Sequence, residues 1–555
     1  MLRKIIKWLA LGTLSVLALL VGTGLYLYSV AAHRHPAAPP TALLHTPRQQ
    51  LGPQAYTLGH NWLRKSRSGW WEMHLEGEPF ERGVANGVLC RELCEYQEQA
   101  FYDQICKLVP SAFHRSFLKY LIAFFNRNLE SSLTEEQRLE IYGVAQTAYP
   151  KFDEIGPAYP RLLNYHAAHD IGHALQNLAL VGCSSFATWG DKSADGQLLI
   201  GRNFDFYVGD QFADNKVVDF VTPARGHRFV TVSWCGMSGV VSGMNMAGLT
   251  ITLNAAKSAL PTGSATPISV LAREILQYAG TIDEAVAIAQ QRHTFVSESL
   301  LIGSAADNKA VVIEKTPDSV AVYDPHQHEI ICTNHYQSGP LGKAAINQQQ
   351  MHESASVYRE QRLAELMERA GPLTPTKAAS ILRDQGGLGD KFIGYGNEKA
   401  VNQLICHHSV IFQPAKRIIW LAAAPWQLGK YVAYDLNKVF AMKALGTDHE
   451  LIEADTIAAA PFLRTPAYAN YVAFRQLAAR VQSHDPTADP LALLRLNPEY
   501  YHAYALAGDA LFRAGKFAEA QRVYRQGLTK EIATKGEEAH LRNQAKKCGE
   551  KLQSS

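Results

Sequence analysis

Among eight cysteines, Cys183 has the neighbourhood that best suits chemistry. It follows Gly182 directly and precedes the compact string Gly201-Arg202-Asn203-Phe204-Asp205. A cysteine in this setting serves as a small buried hydrophobe, as half of a disulfide or as a nucleophile. A thiol with a pKa near 8.5 needs a base or a nearby positive charge to attack well at neutrality. One base is internal. If the chain is cut before Cys183, the new α-amino group, with a pKa of about 7.7–8.0, sits beside the sulfur. Gly182 suits such a cut, because a residue without Cβ lets the thiol approach the preceding carbonyl for an N-to-S acyl shift.

Other candidates carry less. His166, His169 and His173 in NYHAAHDIGHALQN have ligand-like spacing, but the glutamate of an HExxH site is absent. Capping, packing or a pH-sensitive contact is the expected role, and no metal is expected. His407-His408 falls in a late strand pattern, where alternation sends the two rings to opposite faces. Cys235 and Cys332 lie in β-like runs and read as core. Cys90 and Cys94 are four apart in a helical stretch, which makes a mutual disulfide awkward and burial the expected role. No CxxC pair and no phosphate-cradling glycine loop occurs in strand–helix context, so no cofactor is expected.

Several elements must position Cys183. Residues 70–182 are mostly helical in pattern. Within them Phe113, Phe117, Leu121 and Phe125 recur every four residues, a stripe expected to face the core; the other readings are a greasy substrate pocket or the bilayer. From Cys183 to about 435 the texture turns to short β-rich runs such as QLLIGRNFDF, RFVTVSWCG and KRIIWLAAAP, interrupted by helical pairs. That grouping favours layered α and β elements over a doubly wound sheet. Residues 436–555 are helical. YHAYALAGDALFRAGKFAEAQRVYRQGL within them has the shape of one tetratricopeptide repeat, at about 498–530, which must lean on neighbouring helices.

The N-terminus sets the compartment. Arg3, Lys4 and Lys7 precede 23 uncharged residues, Trp8 to Val30. At about 1.5 Å per residue this run spans a hydrocarbon core of roughly 30 Å. It predicts a single-pass anchor over 1–30 with a cytoplasmic N-terminus and an exported body, periplasmic or extracellular. A secretory signal cleaved near Ser29-Val30-Ala31 is the alternative. Residues 31–69, opening with five prolines in 31–55, read as a spacer. A net charge of +3 over 555 residues argues against an extensive nucleic-acid footprint.

Gly182-Cys183-Ser184-Ser185 with Gly201-Arg202-Asn203-Phe204-Asp205 resembles the nucleophile region of the N-terminal nucleophile hydrolases. Gly243-Met244-Asn245, Thr252-Leu253-Asn254, Thr333-Asn334-His335 and Ser356-x-x-Arg359-x-x-Arg362 follow in order. The set is similar to the isopenicillin-N and acyl-coenzyme A:6-aminopenicillanic acid acyltransferase branch, akin to bile salt hydrolases and acid amidases. Upstream, Gly77 to Gly83 resembles the start of that family's helical propeptide. The resemblance covers roughly residues 70–435. It implies an α+β fold, a four-layer αββα sandwich with a helical propeptide, here followed by a helical tail. It also implies autoproteolysis between Gly182 and Cys183 and catalysis through a Cys183 thioester. In that scheme Asp205 holds the new amine, Arg202 tunes the thiolate and fixes Asp205, and Asn254 and Asn334 stabilise the oxyanion. Arg359 or Arg362 completes the electrostatics. The expected reaction is hydrolysis or acyl transfer on linear amides, with a small acyl amide or acyl donor as partner. The alternatives are a lipid N-acyl amide or ester hydrolase at the membrane, and a catalytically silent scaffold whose tail docks a protein.

Overall fold

The computed structural model describes residues 2–31, 35–175, 182–207, 209–257, 259, 261, 263–442, 444–445 and 456–553. Helix Leu2–Ala31 leads the chain, and its stretch Lys4–Leu27 is long and apolar enough to cross a membrane or to act as a signal sequence. Leucines along its middle point outward, with Leu14 and Leu19 each 71% exposed.

Two sheets form the centre. The larger has eleven strands, running in order from Gln49–Gly52 through Trp71–Gly77, Lys216–Pro223 and Leu249–Ala255 to Val320–Tyr323. All its pairings are antiparallel except Trp71–Gly77 against Lys216–Pro223, which run parallel. The smaller sheet has six antiparallel strands: Glu329–Cys332, Ser184–Thr188, Leu199–Phe204, His408–Gln413, Ile418–Ala422 and Tyr431–Asp435.

Their packing gives four layers. Phe220, Val232 and Leu301 of the larger sheet share one core with Ile200, Phe412 and Leu421 of the smaller. The outer face of the larger sheet is covered by helices Ile268–Tyr278 and Ile282–Gln291, reached also by Glu135–Ala145 and Ala158–Leu175 from the N-terminal part. Helices Ser356–Ala370 and Pro375–Leu382 cover the other face of the smaller sheet. Strand Ile418–Ala422 therefore buries both of its faces, Ile419 and Leu421 between the sheets and Trp420 and Ala422 under the helices. This is why such strands read as unbroken apolar runs.

Helices Pro79–Leu89 and Glu135–Ala145 cross very closely. A Cβ on Gly83 would lie 2.0 Å from the Glu140 carbonyl oxygen, so only glycine fits there. Buried Arg82 of the first helix meets Glu140 of the second at 2.6 Å, and Arg273 of the core meets the same carboxylate at 3.3 Å. The N-terminal helices are thereby tied to the core by charge as well as by packing.

Two expectations are corrected. Residues 49–65, read as spacer, form three strands at the edge of the larger sheet, and the part read as helical propeptide opens with the strand Trp71–Gly77. The aromatic stripe on helix Ala112–Phe125 faces outward: Phe113 is 78%, Phe117 59% and Leu121 47% exposed, and Phe125 alone of the four packs on the core. This helix lies against the N-terminal helix, with the Tyr26 and Phe124 rings 6.4 Å apart.

The C-terminal region has its own core, built from Tyr471, Leu493, Tyr501, Ala507, Tyr524 and Leu541. Helices Tyr501–Arg513 and Phe517–Gly527 form a hairpin over the span read as a repeat, followed by Lys535–Gln553. The tail grips the two-sheet core at residues 394–399. Asn397 donates to the Glu531 carbonyl at 2.8 Å, Lys399 pairs with the Glu531 carboxylate at 2.6 Å, and Tyr501 donates to Glu398 at 3.1 Å.

Candidate active site

The hairpin Ser184–Thr188 and Leu199–Phe204 returns the chain to its starting point: Ser184 faces Asn203 and Ser185 faces Arg202. The Gly182 amide donates to the Asp205 carbonyl at 3.0 Å. Cys183 is fully buried beside both. One Arg202 guanidinium nitrogen lies 3.8 Å from its sulfur and also donates to the Leu253 carbonyl; the other donates to the Val241 carbonyl at 2.8 Å and to Ser242 Oγ. Burial pushes the Cys183 thiol up to about 11 against the pull of Arg202. In the intact chain the sulfur is therefore a protonated thiol.

Asp205 is the unusual group. Its carboxylate is fully buried, and among the described residues neither oxygen has a hydrogen-bond partner. The expected bond from Arg202 to Asp205 is absent among the described residues, and the two terminal guanidinium nitrogens go instead to backbone carbonyls, Ser242 and the thiol. Burial raises the Asp205 carboxyl to about 7, while Arg359 and Arg202 oppose the rise. A carboxyl raised on folding contributes stability in full below its unfolded pKa, near 4, and loses it as pH rises to about 7, a change of about 4 kcal/mol at most. The thermal midpoint of a Cys183→Ala chain should therefore fall by several degrees between about pH 4.5 and 7.5. Scanning calorimetry of the Cys183→Ala/Asp205→Asn chain should show a smaller fall.

Asn254 and Asn334 approach from two directions. Asn254, on the larger sheet, accepts from Ser185 Oγ at 2.8 Å and donates to the Cys332 carbonyl at 2.9 Å, joining the two sheets. Asn334 donates to the Ala255 carbonyl at 2.9 Å and accepts from Arg359 at 2.6 Å. One hydrogen of each amide nitrogen is used in these bonds, and each nitrogen carries a second. The Ser-x-x-Arg spacing has a physical basis, since residues three apart share one face of helix Ser356–Ala370. Ser356 Oγ accepts from the Asn334 backbone N–H at 2.7 Å, while Arg359 holds its side chain. Arg362 is directed elsewhere, to Asp384, Asp390 and Glu365. The geometry brings Arg359, and not Arg362, to the site.

Two contributors escape sequence reading. Gln403 Nε2 donates to the Gly182 carbonyl at 2.7 Å, and a Cβ on Gly182 would stand 2.3 Å from that nitrogen. His408 Nε2 lies 2.8 Å from Ser242 Oγ and so backs up Arg202. Nothing in the local pattern AVNQLICHHS marks either contact. His407 and His408 do not diverge as alternation predicts: His407 precedes the strand His408–Gln413, and the two Nδ1 atoms are 3.0 Å apart. Burial holds both rings well below the usual histidine range, hence neutral.

His166 fits packing. Its ring lies 2.8 Å from the Leu162 carbonyl and accepts from the Ser238 amide at 3.0 Å. The side chains of His169 and His173 lie outside the described residues. Next to the site, a cleft of about 920 Å³ opens between the N-terminal helices and the core. Its walls are mostly apolar, with Phe101, Leu162, Phe206, Phe212 and Trp234 prominent. Phe206 immediately follows Asp205, so the cleft borders the site along the chain itself.

Two stacked sheets between helical layers, with Gly-Cys at the head of an inner strand, are the arrangement that the resemblance to the N-terminal nucleophile hydrolases implies. Residues 192–425 match the family model described as acyl-coenzyme A:6-aminopenicillanic acid acyl-transferase. Relatives include an uncharacterized protein of Archaeoglobus fulgidus, 28% identical over 271 residues that make up 46% of this chain and 45% of that one. An N-acylethanolamine-hydrolyzing acid amidase of Caenorhabditis elegans is 26% identical over 227 residues, 37% of this chain and 59% of that one. The chain spans about half the length of the curated relatives it matches. Among solved structures, the Caenorhabditis elegans amidase ortholog aligns with 42% of this chain and 93% of its own at 18% identity, with a TM-score of 0.31. A conjugated bile acid hydrolase from Clostridium perfringens aligns with 49% of this chain and 95% of its own at 13% identity, with a TM-score of 0.32.

Proposed function

We propose that the chain is a self-cleaving amidase or acyltransferase whose nucleophile is Cys183. The observation that carries this reading is the empty-handed Asp205 carboxylate, buried beside Gly182 and Cys183 with no hydrogen-bond partner among the described residues. A buried carboxyl without a partner is costly. The α-ammonium created by cleavage supplies the missing partner.

The Cys183 sulfur attacks the Gly182 carbonyl while its proton passes to the Cys183 nitrogen, and the C–N bond breaks toward that nitrogen. Water hydrolyses the resulting thioester to leave a Gly182 carboxylate and the free thiol. The freed amine then takes the thiol proton as general base. An acyl amide is attacked in turn, its oxyanion is met by Asn254 and Asn334, and the protonated amine serves the leaving group. Water or an acceptor amine discharges the acyl-enzyme. The apolar cleft suits a long acyl chain, and the outward aromatic face of helix Ala112–Phe125 beside the N-terminal helix suits delivery of that chain from a bilayer. An N-acyl amide of lipid type is thus the favoured substrate, as the name of the Caenorhabditis elegans relative also suggests. The N-terminal helix serves as the membrane anchor, and the tail hairpin as a tetratricopeptide-like unit.

The direct test is mass analysis of the purified full-length protein in detergent, followed by incubation with a chromogenic long-chain N-acyl anilide. A new N-terminus at Cys183 and an acyl adduct on that residue are expected. A wild-type chain that stays uncut sinks the reading. Arg359→Gln should lower kcat/KM about 100-fold, because Asn334 loses the contact that aims it. Arg362→Gln should leave turnover of the folded enzyme within about threefold, and steady-state kinetics separates the two.

A further inference from the structure

Three thiols outside the proposed catalytic centre meet where the N-terminal helices rest on the core. Cys90 lies between helices Pro79–Leu89 and Arg91–Leu108, Cys94 lies on the second, and Cys235 follows strand Phe229–Trp234. The Cys90 and Cys94 sulfurs are 3.6 Å apart. The Cys94 sulfur comes within 3.3 Å of where a Cβ on Gly236 would lie, and Cys94, Cys235 and Gly236 line the cleft together. Cys94 and Cys235 also interact directly through their side chains.

The three are not equivalent. Cys90 is fully buried and commits its S–H to the Asn86 carbonyl and side-chain oxygens at 2.8 and 2.9 Å. Its spacing from Cys94 within one helical turn is poor for a disulfide. Cys94 is half-buried and reaches the cleft. Its side-chain contacts with Cys235 and Cys90 hold it well below the usual thiol range. A thiolate that small molecules can reach is the reactive kind.

We propose that Cys94 and Cys235 form a redox-controlled disulfide that joins the N-terminal part to the core. The Cys94 thiolate attacks a small-molecule disulfide that enters the cleft, forming a mixed disulfide and expelling one thiolate. Cys235, giving up its proton to that thiolate, attacks the Cys94 sulfur and expels the second. Two protein thiols are oxidised and one disulfide is reduced to two thiols. The pair lies on opposite sides of the Gly182–Cys183 bond, so after the proposed cut it becomes a covalent tie between the two chains. Its formation does not depend on that cut.

Oxidised glutathione is the probe. The full-length protein is incubated with it, capped with a thiol-blocking reagent and digested without reduction. Mass mapping should find Cys94 linked to Cys235 in the wild type and in Cys90→Ser, and in neither Cys94→Ser nor Cys235→Ser. On non-reducing gels, cut wild-type protein should run as one species near 61.3 kDa that separates into two on reduction. Absence of the Cys94–Cys235 peptide from the wild type, or a Cys90–Cys94 link in its place, overturns the proposal. An uncut wild-type chain that nevertheless carries the link would count against the proposed self-cleavage alone.

Discussion

Replacing Cys183 by alanine should leave a single chain of 61.3 kDa that forms no acyl adduct, where the wild type gives fragments of about one third and two thirds of that mass. The effect should be near-total, because in the proposed scheme one sulfur performs both the cut and the acyl transfer. Deleting a covalent nucleophile lowers turnover by about 10⁶-fold. Folding should survive, since alanine leaves a methyl group where a protonated thiol sat. The Gly182 peptide also stays tied to the Asp205 carbonyl and to Gln403. Denaturing gels read the cut, and intact mass reads the adduct.

Gln403→Ala is expected to slow self-cleavage about 10²- to 10³-fold. Its amide lies 2.7 Å from the carbonyl oxygen that becomes the oxyanion when Cys183 attacks, and a lost oxyanion donor costs about 2.7–4 kcal/mol. Gly182→Ala should do similar damage by another route, because the added methyl displaces the same amide. The double variant should then be little slower than either single one, since both remove one interaction. A time course of fragment appearance checks all three. Turnover per cleaved molecule should fall much less for Gln403→Ala, because the proposed cycle assigns the later substrate's oxyanion to Asn254 and Asn334. Equal losses in both assays would refute the assignment of Gln403 to the cut.

Much of the site was legible because it is local. A cysteine after glycine, a short hairpin and an aspartate 22 residues on form a closed loop of chain, and the Ser-x-x-Arg motif encodes one helix face. Gln403 was not, since it meets Gly182 across 221 residues of sequence with no pattern of its own. The choice between Arg359 and Arg362 needed to know which helix face meets Asn334, and both arginines are buried. Strands 49–65 hid for a different reason. Gln49–Gly52 is an exposed edge strand, without the apolar alternation that reveals a buried one. The stripe on Ala112–Phe125 shows that amphipathy states which face is apolar and not what covers it.

The parallel pairing of Trp71–Gly77 with Val217–Pro223 bears on how a cut molecule would stay together. The strand from the first fragment lies inside the larger sheet, with Asn61–Lys65 on one side and the core strands on the other. Releasing it would strip a seven-residue ladder and bare Met73 and Leu75, which are almost wholly buried. The proposed maturation would then break a bond without parting the pieces. The catalytic fragment would carry no membrane segment of its own, yet remain moored at the bilayer by backbone hydrogen bonds to a neighbour that was once the same chain.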